Sequence, residues 1–273
     1  MIDRMCRRSR RRQRGVALIT ALLVVVLATV AAVSMVTRQH LDIRRAGNVL
    51  TQDQAYLTAL AAERYALKLL SESEGDRELP WDGCVSPPLR VSIGDARMDI
   101  WLEDMHCRFN LNNLAGANEA SVAGFVRLLE GIRADYPELA FDPDQVVAAT
   151  QDWMNPETDD PVYRLASPPY LSANRVFAVP EELRLVQGMD ADLWLVLAPY
   201  VTALPRTGTS INMEYASDPI REAFAATGET RASESFFRLA VHTELAGRRL
   251  LLCSLLDAAG ARVVWRSQSA CDM

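Results

Sequence analysis

The chain has little histidine, the residue that most often acts as a general acid or base in catalysis. Only three of its 273 residues are histidine, and His40, His106 and His242 all lie outside nucleophile and metal motifs such as GxSxG or HExxH. Its apolar and charged fractions, 49% and 23%, exclude wholesale disorder and fibrous repeats. A mean hydropathy of -0.01 excludes a protein that crosses the membrane many times. The sequence therefore predicts a globular protein that is not an enzyme.

Charge of either sign is absent from residues 16–37, a run of 22 residues. As a helix, this run would be about 33 Å long, which is enough to cross a bilayer core. It is longer than the apolar region of about 7–15 residues in a secretory signal peptide. Two alternatives stay open on the pattern alone: an ordinary signal anchor, or a long signal peptide that is cut near residues 30–32.

The charges are distributed unevenly along the chain. Residues 1–15 contain seven arginines and one aspartate, a net charge of +6, so the other 258 residues carry -12 within a total of -6. Because positively charged flanks stay in the cytoplasm, the N-terminus is predicted to be cytoplasmic and the remainder of the chain to lie outside. An acidic remainder suits a water-filled compartment.

Gly15 lies at the border between the basic leader and the apolar run. This arrangement resembles the type IV prepilin signal, and the resemblance implies that a prepilin peptidase cuts after Gly15. Val16 would then become the N-terminus and the membrane helix would be kept. Most pilins have a glutamate at the fifth mature position, where this chain has Thr20. Because a carboxylate in lipid is costly unless it is paired, its absence suits a subunit with none above it.

The pattern of elements predicts an α+β fold, and the resemblance to pilins implies that it is a pilin-like one. One long helix is expected from Val16 to Ser71, with Gly47 as a point where it could bend. Beyond the membrane, apolar residues recur amid polar ones, which predicts an amphipathic continuation of the helix: Leu41, Val49, Ala55, Leu60, Tyr65 and Leu69. Strands are predicted at 89–93, 97–103, 235–245, 248–257 and 262–269, and helices at 120–134, 143–154, 181–186, 190–203 and 219–227.

Strands that are split by a helical block indicate one α+β domain with an insertion, because a two-stranded piece alone is marginally stable. Two consecutive domains are the alternative. The predicted division is a leader at 1–15, a helix at 16–72 with its transmembrane part at 16–37, a pilin-like antiparallel sheet at 73–108 and 230–273, and an inserted helical domain at 109–229.

Several phrases in the helical block resemble the type II secretion minor pseudopilin K, also called general secretion pathway protein K. They are RFNLNNL (108–114), QDW (151–153), PYLSANRVF (169–177), EELRLVQGM (181–189), LAPYVTALP (197–205) and TSINM (209–213). The resemblance implies a non-enzymatic subunit at the tip of a periplasmic pseudopilus. Its implied partners are minor pseudopilins I and J, other pseudopilins and inner-membrane secretion components. It implies a single-pass inner-membrane protein with a periplasmic C-terminal domain.

The acidic loop at 152–160 is the candidate calcium site. It has six oxygen-bearing side chains in nine residues, and calcium takes six to eight oxygen ligands. The family binds calcium around a segment that opens with Asp-Trp, as this loop does. The candidate ligands are Asp152, Asn155, Glu157, Asp159 and Asp160. The loop is shorter than in the family, Asn155 replaces a usual aspartate, and the spacing is not that of an EF-hand. A solvated acidic loop that caps a helix is the alternative.

Four cysteines remain once the leader is removed: Cys84, Cys107, Cys253 and Cys271. An even number in a periplasmic protein suggests two disulfides, in one of three pairings. The strand layout favours Cys84–Cys107 and Cys253–Cys271, and the spacing excludes a CxxC motif. Buried free thiols are the alternative.

Two other classes of protein are alternatives. Residues 181–189 with the helix that follows resemble a helix-hairpin-helix, which would make the chain a membrane-anchored DNA-binding protein. A charge of -12 outside the leader is the wrong sign for a nucleic-acid ligand, so no nucleic acid is expected. The other class, an unrelated signal-anchored periplasmic binding protein, predicts no cleavage at Gly15.

Overall fold

The computed structural model describes residues 13–72, 81–116, 118–157, 161–227, 235–269 and 271. These residues form two compact units, which divide between Gln54 and Ala55. Most of the predicted leader and the predicted end of the long helix near Gly75 and Pro80 lie outside the described residues.

The described chain contains six α-helices and seven strands. The helices are α1 Gln13–Glu72, α2 Glu119–Asp135, α3 Pro143–Met154, α4 Pro161–Arg164, α5 Ala191–Leu197 and α6 Asp218–Phe224. The strands are β1 Leu89–Ile93, β2 Ala96–Asp104, β3 Phe109–Asn110, β4 Val201–Thr202, β5 Phe236–Leu245, β6 Arg248–Asp257 and β7 Arg262–Ser267. The helix α1 runs through Gly47 without a break, as expected of a segment that contains no proline.

Five strands form one antiparallel sheet in the order β1-β2-β5-β6-β7. The central pairing joins β2 to β5, with Ile100 opposite Val241. We call the part of the chain that follows α1 the head. Strands from the two ends of the head sequence are therefore neighbours, and residues 105–235 leave the sheet and return to it at this one place. This topology confirms the predicted α+β fold with its antiparallel sheet, and it explains how the short β1–β2 hairpin is stabilised.

The helix α1 packs on one face of the sheet through small side chains. Ala55, Ala59, Ala62 and Ala66 recur at helical spacing and are buried against a cluster that includes Met98. Alanine lets the helix approach the sheet closely. Tyr65 and Leu69, two apolar residues of the predicted amphipathic continuation, are 60% and 47% exposed. Leu67 and Leu70 are buried in the same cluster, so the contact combines four alanines with two leucines.

The helical block has a separate core. The ring of Phe109 stacks between those of Phe125 on α2 and Phe224 on α6, at centroid distances of 5.1 and 4.9 Å. Gly124 lies beside this stack, and a Cβ atom there would stand 2.2 Å from the Phe224 ring. Glycine is therefore needed at this position for α2 and α6 to pack.

Two predicted helices in the block differ from the structure. The segment predicted as a helix at 181–186 is a 3-10 helix at Pro180–Leu185. The helix predicted to reach residue 203 ends at Leu197, and after one 3-10 turn the chain becomes the strand β4. Strand β4 pairs in parallel with β3, so hydrogen bonds to a distant segment prevail over the helical pattern here.

Candidate functional site

The N-terminal part of α1 is the candidate membrane anchor. Among the described residues, α1 is the one helix that is long and apolar enough to cross a membrane, and its most apolar window has a mean hydropathy of 2.9 with no part buried. Its apolar side chains from Val16 to Val36 are all half or more exposed. Such a surface is unfavourable in water and suits lipid or the helices of other subunits.

Thr20 and the other hydroxyls of the membrane segment are satisfied within the helix. The Thr20 hydroxyl donates to the Ala17 carbonyl at 3.0 Å. Thr29, Ser34 and Thr37 likewise donate to carbonyls three or four residues earlier. A hydroxyl bonded in this way can lie in lipid without a partner from another chain. Gly15 and Val16 are exposed on the same helix, and cleavage between them stays a prediction.

In the head, a buried carboxylate ties α1 to the sheet. Glu63 is fully buried and accepts hydrogen bonds from Ser254 on β6 and from Arg266 on β7, whose Nε donates at 2.8 Å. The hydrogen bond to Glu63 raises the pKa of Arg266. This contact fixes the rotation of the helix about its own axis, because Glu63 has to face these two strands.

A second buried carboxylate ties the helical block to the other side of the sheet. Glu103 on β2 accepts from Arg238 on β5 at 2.8 Å and from Arg108 at 2.7 and 2.9 Å. Its side chain is 3% exposed, whereas those of the two arginines are 16% and 12% exposed. Both carboxylate oxygens of Glu103 therefore accept hydrogen bonds, each oxygen from a different arginine. These bonds hold the start of the helical block in place on the sheet.

Asp104, the next residue, is also buried. Its carboxylate accepts from the backbone N–H of His106 and from the side-chain amide of Asn212, both at 2.9 Å. Burial raises the pKa of Asp104, and the hydrogen bond from Asn212 opposes that rise. A carboxyl whose pKa is raised binds its proton more tightly in the folded protein than in the unfolded chain.

We expect Asp104 to lower stability at neutral pH. The folded protein keeps the proton of Asp104 up to a higher pH than the unfolded chain does. The contribution of Asp104 to the free energy of unfolding therefore falls as the pH rises from about 3.9 to the pKa of Asp104 in the folded protein. Asp104→Asn keeps an oxygen acceptor for the His106 N–H but does not titrate. The thermal midpoint of the native protein, relative to that of Asp104→Asn, should therefore fall as the pH rises above about 4. A constant difference between the two midpoints would contradict this expectation.

Three asparagines connect four of the sequence segments that resemble pseudopilin K. Asn112 is fully buried, accepts from the Phe177 N–H at 2.8 Å, and donates to the carbonyls of Phe177 at 2.9 Å and Leu204 at 2.7 Å. Asn110 accepts from the Leu204 N–H at 2.9 Å. Asn113 donates to the Thr209 carbonyl at 2.7 Å. The phrases at 108–114, 169–177, 197–205 and 209–213 thus meet at one set of side-chain amides.

The calcium candidates are only partly described. Asp152 and Glu157 are exposed, and the Asn155 side chain accepts from the Glu157 N–H at 3.0 Å. No group of three or more aspartate, glutamate, histidine or cysteine side chains is placed to hold a metal in the described part of the chain. Asp159 and Asp160 lie outside it. The described side chains do not make a site by themselves, so calcium stays a prediction that rests on the family resemblance.

Trp153, beside this loop, is part of the core. It is 2% exposed, and its ring meets those of Tyr163 and Tyr170 at centroid distances of 5.0 and 6.2 Å. Its backbone carbonyl accepts from Asn174 at 2.9 Å. The Asp-Trp phrase therefore anchors the end of α3 in the helical block.

The structure contains two disulfides. Cys84 is bonded to Cys107 and Cys253 to Cys271, with Cα–Cα distances of 6.0 and 5.4 Å. These are the pairs that the strand layout favours. The first closes the chain around the β1–β2 hairpin, and the second ties the C-terminal segment to β6.

Sequence reasoning missed Glu63, Glu103 and Asp104. An acidic residue among apolar ones is a signal of a buried charge, and Glu63 does fall among the alanines of α1. Their partners, however, are 108 to 203 residues away, except for Arg108 and His106. No local pattern identifies such pairs.

Comparisons with known proteins agree with this architecture. The family model described as "Type II secretion system (T2SS), protein K" matches residues 107–206. The Type II secretion system protein K of Pseudomonas aeruginosa is 35% identical over 236 residues, which are 78% of this chain and 68% of that protein. The one from Aeromonas hydrophila is 30% identical over 237 residues, which are 74% and 67% of the two chains.

The chain also resembles a solved structure, "The Crystal Structure of the GspK-GspI-GspJ complex from enterotoxigenic Escherichia coli Type 2 Secretion System". The TM-score is 0.69 at 21% identity, and the match covers 83% of this chain and all of the other. This likeness shows a shared fold. Together with the identity to the Pseudomonas protein, it confirms the family inferred from the sequence phrases: the chain belongs to the type II secretion system protein K family.

Proposed function

We propose that this protein is a minor pseudopilin that caps the tip of the periplasmic pseudopilus and helps to initiate its assembly for protein export. Its proposed partners are minor pseudopilins I and J. The observation that carries the proposal is the 35% identity to a protein K over most of both chains. The solved structure with the same fold comes from the GspK-GspI-GspJ complex.

The proposed location is the inner membrane, with the N-terminus in the cytoplasm and the head in the periplasm. The exposed apolar segment of α1 and the arginines before it support this topology. The proposed role is structural and not enzymatic. In its support, the buried carboxylates Glu63 and Glu103 bind arginines that belong to other elements, which serves to hold the head together.

The helical block supports a role at the tip. It leaves the sheet after β2 and returns at β5, so it enlarges the head without interrupting the sheet. Thr20 agrees with this position, because its hydroxyl is satisfied by its own helix and presents no carboxylate to a subunit above.

The proposal predicts cleavage by the prepilin peptidase. Protein extracted from membranes should begin at Val16 when the peptidase is present and at Met1 when it is absent. Gly15→Val should block cleavage because it removes the glycine that precedes the cut, whereas Arg14→Lys keeps the charge and should be processed. The mass of the N-terminal peptide is the measurement.

An N-terminus at Met1 both with and without the peptidase, or one near Ala32 or Val33, would argue for the signal-anchored binding protein. A second readout concerns the partners. The full chain, co-expressed with minor pseudopilins I and J, should purify with both through size-exclusion chromatography. Correct processing without such a complex would keep the protein among the pilin-like proteins and overturn its place at the tip.

A further inference from the structure

The helix α2 contains two glycines, and the structure explains only one of them by internal packing. Glycine inside a helix lowers stability relative to alanine. Gly124 is required because a Cβ atom would collide with the Phe224 ring. A Cβ atom on Gly131 would have no atom within 4 Å, and Gly131 is exposed. The fold would therefore accept a side chain at Gly131.

Gly131 lies instead on the wall of an open cavity of about 210 Å³. The cavity is formed by α2, by the segment around α5 and by α6. Its floor includes the buried residues Leu128, Ile132 and Ala223. Any side chain larger than a hydrogen at Gly131 would project into this space. Glycine at this position keeps the cavity open.

The size of the cavity suits one anchoring side chain. A water molecule takes up about 30 Å³, so the cavity has room for about seven waters. Sites for small organic ligands are larger, at about 300–1,000 Å³. Tyr136 and Tyr200 line it, and tyrosine and arginine are enriched among the residues that contribute most to protein–protein binding.

The charged residues around the cavity indicate which charge a partner would carry next to its anchoring side chain. Asp135 and Glu222 line it and are both exposed, whereas Arg127 is the one cation among the described residues that line it. The Nε of Arg127 donates to the Ala123 carbonyl of its own helix at 3.2 Å. Carboxylates therefore outnumber guanidinium groups, which favours a cationic neighbour for the anchor.

We propose that this cavity docks a polypeptide segment that inserts one apolar or aromatic side chain and carries a basic residue beside it. The proposal adds a docking site on the helical block and does not depend on a place at the pseudopilus tip. It explains why α2 keeps a glycine that its own packing does not need.

A fluorinated dipeptide tests the proposal. The probe is acetyl-4-fluorophenylalanyl-arginine amide, added to the full chain in detergent micelles and followed by fluorine NMR. We expect saturable binding that Gly131→Leu weakens about tenfold or more by filling the cavity. Ala134→Leu places the same side chain at an exposed position of α2 outside the cavity and should leave the dissociation constant within about twofold.

The charge part of the proposal has its own comparison. The same probe with glutamate in place of arginine should bind about threefold or more weakly, because it meets Asp135 and Glu222. Gly131→Leu should raise the thermal midpoint, since leucine is a better helix former than glycine. If that variant unfolds, Tyr136→Ala replaces it and should also weaken binding.

Three results would overturn the proposal. The first is no saturable binding to the native protein. The second is equal binding by the native protein and the folded cavity variant, which would place the probe elsewhere. The third is equal binding of the arginine and glutamate probes, which would remove the basic neighbour from the partner's description.

Discussion

Replacing Glu103 with glutamine is expected to lower the free energy of unfolding by about 3–5 kcal/mol. Glu103 is one buried carboxylate between Arg108 and Arg238, and it uses both of its oxygens. Glutamine has nearly the same shape but no charge, and one end of its amide is a donor. The variant would take the carboxylate charge away from two largely buried guanidinium groups. Chemical denaturation of the full chain in detergent measures the change.

Asp99→Asn on the same strand is the matched control. Asp99 also faces an arginine, Arg90, but at 3.5 Å and with side chains that are 48% and 82% exposed. Exposed ion pairs are worth about 0–1 kcal/mol, so this variant should differ little from the native protein. Equal losses in the two variants would mean that burial does not govern the strength of these pairs. A small loss for Glu103→Gln would mean that the two arginines find other partners.

Asn112→Ala is expected to lower the free energy of unfolding by about 3 kcal/mol or more. The change removes the partner of the Phe177 N–H and of the Phe177 and Leu204 carbonyls. These three groups lie in segments that meet at Asn112, and each buried group without a partner costs about 1–3 kcal/mol. Thermal and chemical unfolding, with near-ultraviolet circular dichroism to follow the packing of aromatic rings, measure the effect.

Two variants separate this effect from the general loss of an asparagine. Asn118→Ala removes the N-cap of α2, whose side chain accepts from Ala120 and Ser121, and should cost about 1 kcal/mol. Asn112→Asp keeps the shape and the acceptor but lacks the N–H donors for the two carbonyls, so it should be destabilised as well. A stable Asn112→Asp would show that those donors contribute little.

The regular elements could be predicted because their signals are local. The turns after β1 and β5 contain Gly94 and Gly247, both at positive φ, and alternating residues flank them. An aspartate directly before a helix is a local capping signal, and Asp142 caps α3 by accepting from the Asp144 N–H at 3.1 Å. The order of strands and helices was enough to predict an insertion, because β1 and β2 need further strands to be stable.

The contacts that fix the helical block could not be predicted, because they depend on residues far apart in the sequence. Strands β3 and β4 have two residues each and no alternation to reveal them. The buried face of α1 could not be predicted because it consists largely of alanine, which carries little hydrophobic signal. The paired charges around Glu63 and Glu103 require knowledge of which strands are neighbours.

The place where the helical block joins the sheet has a consequence for how such proteins change over time. The chain leaves the sheet at Asp104 and re-enters beside it, since Asp104 lies opposite Phe237. The two ends of the block are thus as close as the ends of a hairpin turn. A gene could lengthen, shorten or exchange the entire block without moving a strand or altering how α1 packs. The five-stranded sheet and α1 can therefore stay unchanged while the helical block is replaced. New binding surfaces can evolve on the block without affecting the rest of the fold.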